Sequence, residues 1–185
     1  MYYLRKIDPE LWDGKDNLDA VSISNLSTKD NNISVWQIGD KNELEEVGLT
    51  IAMTRDSLKD VNVVIMEEDE IRKLGLEVTS QSGMSRFAEK NDSHKNISVP
   101  TFWEIGYLSE YIYERLKDEE NFHYFAEEEL KETLYKVVKE GSMDYRFMAD
   151  KSEKKLRNTL IAICSEKEDD ELKKALERIA SNKTI

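Results

Sequence analysis

The sequence predicts an α+β fold: an N-terminal mixed β-sheet with two helices, followed by a C-terminal helical bundle of about four helices. Three observations lead there. Short runs rich in aromatic and β-branched residues, YYLRKI (2–7), ISVWQI (33–38) and VNVVIM (61–66), stand in the first half. Helical periodicity separates them. From Pro100 onward, apolar residues recur every three or four positions behind capping sequences. The chain divides on these grounds into a mixed α/β part (1–98) and a helical part (99–185), expected to form one compact domain.

YYLRKI and ISVWQI read as strands. Between them LDAVSISNLS (18–27) is ambiguous, because Val21 and Ile23 alternate with Ser22 and Ser24. Asp40 and Glu43 form a capping pair, in which Asp40 accepts from the third helical N–H and Glu43 reaches back. Leu44, Val47, Ile51 and Leu58 then share one face of a helix over about 41–57. Gly48 within it costs about 1 kcal/mol relative to Ala and marks a close approach. VNVVIM is almost continuously apolar, so it is expected in a central position, covered on both faces. A short helix over 67–74 opens with EEDE, whose charges suit the positive end of the helix dipole. LEVTS (76–80) supplies a fifth strand after Gly75.

TFWE (101–104) is a Thr-x-x-Glu capping box, and Phe102, Ile105, Leu108, Ile112 and Leu116 follow at helical spacing. Residues 125–141 place Leu130, Leu134, Val137 and Val138 on one face and stop at Gly141. DKSE (150–153) and SEKE (165–168) open the last two helices, the first with Leu156, Leu160 and Cys164 inward, the second with Leu172 and Leu176. Asp169–Lys173 and Asp170–Lys174 have i,i+4 spacing. Trp103, Tyr107, Tyr111 and Tyr113 are core or interface candidates, as are Trp12 and Trp36.

The 185 residues carry a formal charge of −12. That argues against direct nucleic-acid binding, which needs clustered Lys and Arg. It leaves solubility, a basic protein partner, or mimicry of nucleic-acid charge. The acidity is spread, with 19 acidic and 12 basic residues in 1–98 against 20 and 15 in 99–185, so no acidic tail stands apart. Arg5, Lys6 and Asp8 break any secretory apolar stretch. The longest apolar runs, VVIM (63–66) and LIAIC (160–164), fall far below the roughly 18–20 residues that span a bilayer. Cys164, the single cysteine, cannot form an internal disulfide and reads as a buried thiol. A soluble cytoplasmic protein without a membrane partner is expected; homo-oligomers stay open.

No Gly-x-Gly-x-x-Gly, phosphate loop, Gly-x-Ser-x-Gly elbow or His-Glu-x-x-His occurs. One Cys and two His cannot close a tetrahedral metal site. DGKDNLD (13–19) lacks the ligand register of a calcium loop and reads as a turn. His123 and Glu127 could share a helix face, but two ligands are too few. No catalytic residue, metal or cofactor is therefore expected.

One stretch resists this reading. Residues 79–98 form a mildly basic island, with Arg86, Lys90 and Lys95 against Glu89 and Asp92. Long segments without structure are uncommon in compact domains. The stretch is a loop without chemistry, or hides a short element such as MSRFAEK, or contacts a ligand or partner. In the last case Arg86 and His94 are the anion contacts and Ser82 the hydrogen-bonding group. The function expected overall is a non-enzymatic acidic protein-binding module, adaptor, antitoxin-like or immunity-like, that engages a basic partner protein. The alternative is a small enzyme or ligand-binding domain whose pocket lies between the sheet and residues 79–98.

Overall fold

The computed structural model describes residues 1–12, 18–26, 30–55 and 57–181. Most of DGKDNLD lies outside them. Six strands form one sheet: β1 (Tyr2–Ile7), β2 (Asn32–Ile38), β3 (Val61–Glu67), β4 (Val78–Ser80), β5 (His94–Ser98) and β6 (Phe122–Phe125). Their order is β4-β5-β2-β1-β3-β6, and every pairing is antiparallel. The α+β architecture holds, with the expected four helices in the second half: α4 (Phe102–Arg115), α5 (Glu127–Lys139), α6 (Lys154–Glu166) and α7 (Asp170–Ser181). The first half carries α1 (Ala20–Ser24), α2 (Leu44–Ala52) and α3 (Glu68–Lys73). The ambiguous LDAVSISNLS stretch is thus helical over Ala20–Ser24. Asp19 decides it, since its carboxylate accepts from Ser22 N at 2.8 Å and caps α1.

Side-chain alternation along the strands builds two apolar layers, one on each face of the sheet. Leu4, Trp36, Ile38, Val63 and Ile65 point to one face, where α2, α5, α6 and α7 close a core that includes Cys164. Tyr3, Ile7, Ile33, Val35, Val64 and Met66 point to the other, covered by α3 and α4. β3 serves both, which is why VNVVIM is apolar almost throughout; it lies inside the sheet between β1 and β6. Burial pushes the Cys164 thiol pKa up, as befits a packing role.

Several local expectations shift. Asp40 accepts from Asn42 N at 2.7 Å, while Glu43 reaches back to Gly39 N at 2.6 Å, one residue earlier than a regular capping box. The Thr101–Glu104 box is present as expected. SEKE does not cap α7, because α6 runs on to Glu166; Asp169 caps instead, accepting from Leu172 N at 3.2 Å. Its other carboxylate oxygen takes Lys139 at 2.6 Å and Tyr135 at 2.9 Å, tying α7 to α5 rather than pairing with Lys173. Phe102 does not face inward: it is 90% exposed. Among the described residues, no helix is long and apolar enough to cross a membrane.

Candidate functional site

β1 pairs with β3 along its whole length, from Tyr2↔Glu67 to Ile7↔Asn62. β2 pairs with β5 from Trp36↔His94 to Asn32↔Ser98. Between β1 and β2 the ladder ends early, at Leu4↔Trp36. Beyond that pair the two central strands part. Arg5 reaches across the opening, its Nη1 donating to the Ser34 carbonyl at 2.9 Å and its Nη2 to the Asn25 carbonyl at 3.5 Å. For Ser34 the guanidinium stands in for a missing ladder amide. Arg5 Nε is buried and has no acceptor among the described residues.

The split leaves a cavity of about 560 Å³ on the side of β2 and β5, within the size range of small-molecule sites. Asn32, Ser34 and Trp36 of β2 and His94 and Asn96 of β5 line it, with Ile51 and Thr54 from the end of α2. Residues 81–84 complete the lining, and Arg5 and Lys6 stand at the split. A second cavity of about 470 Å³ shares Arg5 and Lys6 and adds Arg55. Among the described residues, no carboxylate lies within ion-pair distance of Arg5, Lys6 or Arg55. The bordering acids are held elsewhere: Asp8 accepts from Glu10 N, and Asp60 from Tyr124 and Glu127 N. The first cavity sets two cations against one carboxylate, Asp30.

Burial holds the Lys6 ammonium pKa below its usual value, and the neighbouring Arg55 and Arg5 charges push the same way; Asp8 opposes them in part. Burial also lowers the Arg5 pKa from its usual value. Both shifts have burial as their largest cause, and an anion arriving beside these part-buried cations would offset it.

The 79–98 stretch is ordered by its own side chains. Asn91 Oδ1 accepts from Ser85 N at 2.9 Å and its Nδ2 donates to Ser85 O at 3.0 Å, closing the loop over buried Phe87. A 3-10 turn over Ala88–Ser93 leads into β5. Gly83 is required by contact: a Cβ there would lie 2.6 Å from Trp36 Cη2. His94 Nδ1 lies 2.9 Å from the Gln81 carbonyl; since a carbonyl only accepts, Nδ1 is the donor in this contact. The ring stands edge-on to Trp36, centroids 5.0 Å apart.

Two of the three sequence-derived contacts, Ser82 and His94, therefore line one cavity. Arg86 does not. Its Nε donates to Glu153 at 2.5 Å and its Nη1 to the Met53 and Arg55 carbonyls at 3.2 and 2.7 Å, so it ties the segment to α2 and the start of α6. His123 and Glu127 do not share a helix face either, because His123 lies in β6 against Phe125 while Glu127 pairs with Lys131. Among the described residues, no cluster of His, Cys, Asp and Glu could hold a metal ion.

Sequence reasoning missed Arg5 and Lys6. A signal was present: in YYLRKI, Arg5 shares its face with Tyr3 and Ile7, which pack into the core. Asn32 and Asn96, two cavity-lining amides, carried no comparable signal. In comparisons with known proteins, the chain matches no family model, no curated protein and no solved structure.

Proposed function

We propose that the chain is a binding domain for a small anionic compound, a phosphate ester or carboxylate with an apolar body, seated where β1 and β2 part. One observation carries this reading: Arg5 and Lys6 meet at a cavity in a chain of charge −12, without a carboxylate in ion-pair reach among the described residues. Trp36 and Ile51 offer apolar contact to the body of such a ligand, and Asn32, Asn96 and His94 offer directional polar groups. No bond-breaking step is assigned to these residues.

The test uses phenyl phosphate as probe and inorganic phosphate for the head group alone, against chloride at equal ionic strength. Wild type is expected to gain thermal stability with phenyl phosphate, reaching about 2.7 kcal/mol at a hundred times the dissociation constant. Arg5→Gln and Lys6→Gln are expected to lose that gain. Equal responses from wild type and both variants would overturn the reading.

The acid excess supports a second reading, an adaptor, antitoxin-like or immunity-like module that masks a basic partner protein. What favours it is the outward face of α4, where Trp103 and Tyr107 stand exposed among glutamates. Its signature is a complex that weakens as salt rises towards physiological strength. We place either activity in the reducing cytoplasm, on the strength of the single buried thiol, Cys164.

A further inference from the structure

We propose that the outward face of α4 is a docking surface for a basic segment of a partner protein, one that presents arginine beside apolar side chains. The inference rests on the second reading above for the sign of the partner's charge. α4 buries Leu108, Ser109 and Ile112 and turns the opposite stripe outward. On that stripe Trp103 is 74% and Tyr107 50% exposed, and Phe102 beside them is 90% exposed. Single exposed aromatics are ordinary, whereas Trp103 and Tyr107, one turn apart on one stripe, expose adjoining apolar area that water disfavours. Helical spacing continues the stripe into Glu110 and Glu114.

The stripe borders a groove of about 580 Å³ that runs from Leu18 past Gly106 to Tyr113. Among the described residues, apart from the backbone of α4 itself, no atom lies within 4 Å of the position a Gly106 Cβ would take, so none of them fills the groove between Trp103 and Glu110. The chain itself shows which group this surface holds. Lys117 Nζ stands 4.5 Å from the Tyr113 ring centroid and 2.5 Å from Glu114, a cation held jointly by an aromatic face and a carboxylate. Trp103 and Tyr107 beside Glu110 repeat that combination, and Glu110 has no cation within ion-pair distance among the described residues. Arginine fits it best, since a planar guanidinium stacks on a ring while donating to a carboxylate.

The probe is an amphipathic peptide of arginine and leucine at helical spacing, with a glutamate-for-arginine peptide as control, followed by fluorescence anisotropy. Wild type is expected to bind the arginine peptide and not the control. Trp103→Ala and Tyr107→Ala are each expected to weaken binding about tenfold, as anchor residues do, although neither changes the net charge. Glu110→Gln is expected to weaken it less. If both aromatic variants bind like wild type and binding remains salt-sensitive, this face is not the site, while the basic-partner reading stands. If wild type fails to bind the arginine peptide even at low salt, both fall. A dimer in light scattering that Trp103→Ala dissolves would also overturn the proposal, by assigning the face to a second copy.

Discussion

Arg86 stands in a mildly basic stretch of the chain, yet its guanidinium is taken up inside the protein. The pair with Glu153 is nearly enclosed, with side-chain exposures of 20% and 11%. Removing the arginine leaves that carboxylate poorly solvated and frees two carbonyls. Arg86→Ala is therefore expected to cost roughly 2–3 kcal/mol, below the 3–5 of a fully buried pair because some exposure remains. Urea unfolding measures it. Phenyl phosphate affinity, judged on folded protein, is expected to stay within about twofold, since Arg86 is not among the residues that line the cavity. Sequence alone offers Arg86 as a possible anion contact because Glu153, which it pairs with, lies 67 positions away. Ser82 and His94 do line the cavity, Ser82 in the segment before β5 and His94 at its start.

At the scale of elements, Gly48 shows a contact that composition could only hint at. A Cβ there would lie 2.5 Å from Phe125 Cζ, so α2 crosses close to the ring from β6. Gly48→Ala gains about 1 kcal/mol of helix propensity but overpacks a rigid, fully buried ring at about 1–3 kcal/mol. The expected outcome is a net loss of up to about 2 kcal/mol, read from the urea midpoint. β1 and β3 were legible because apolar alternation or continuous burial writes itself into residue type. β5 was not: His94 and Asn96 face the cavity, so HKNIS lacks an apolar period. β6 was hidden for another reason. Its four residues, FHYF, sit between helix signals and resemble a packed junction more than a strand. The early end of the β1–β2 ladder, which opens the candidate site, depends on pairing between distant segments and has no local signature.

For the whole molecule, the charge pattern sets how stability follows pH. Lys6 titrates below its usual 10.5 in the folded state. Its cost to folding is full where it is charged in both states and disappears above 10.5, so the contribution to stability rises with pH through that window. Comparing melting temperatures of wild type and Lys6→Gln between neutral pH and about 10.5 isolates it: wild type is expected to gain on the variant. Saturating phosphate should flatten that gain, because a bound anion holds the proton. At the acid end stability again rises with pH, although there the charged form is the one the fold favours. Arg146 and its backbone N–H hold Asp144 at about 2, so what this contact contributes is present above 3.8 and is lost as pH falls through about 2.

The sheet ends in β4 and β6, strands of three and four residues. A rim that short offers a neighbouring chain too few free amides and carbonyls to zip onto. Copies of this protein crowded together should accordingly resist growing fibres through these two edges.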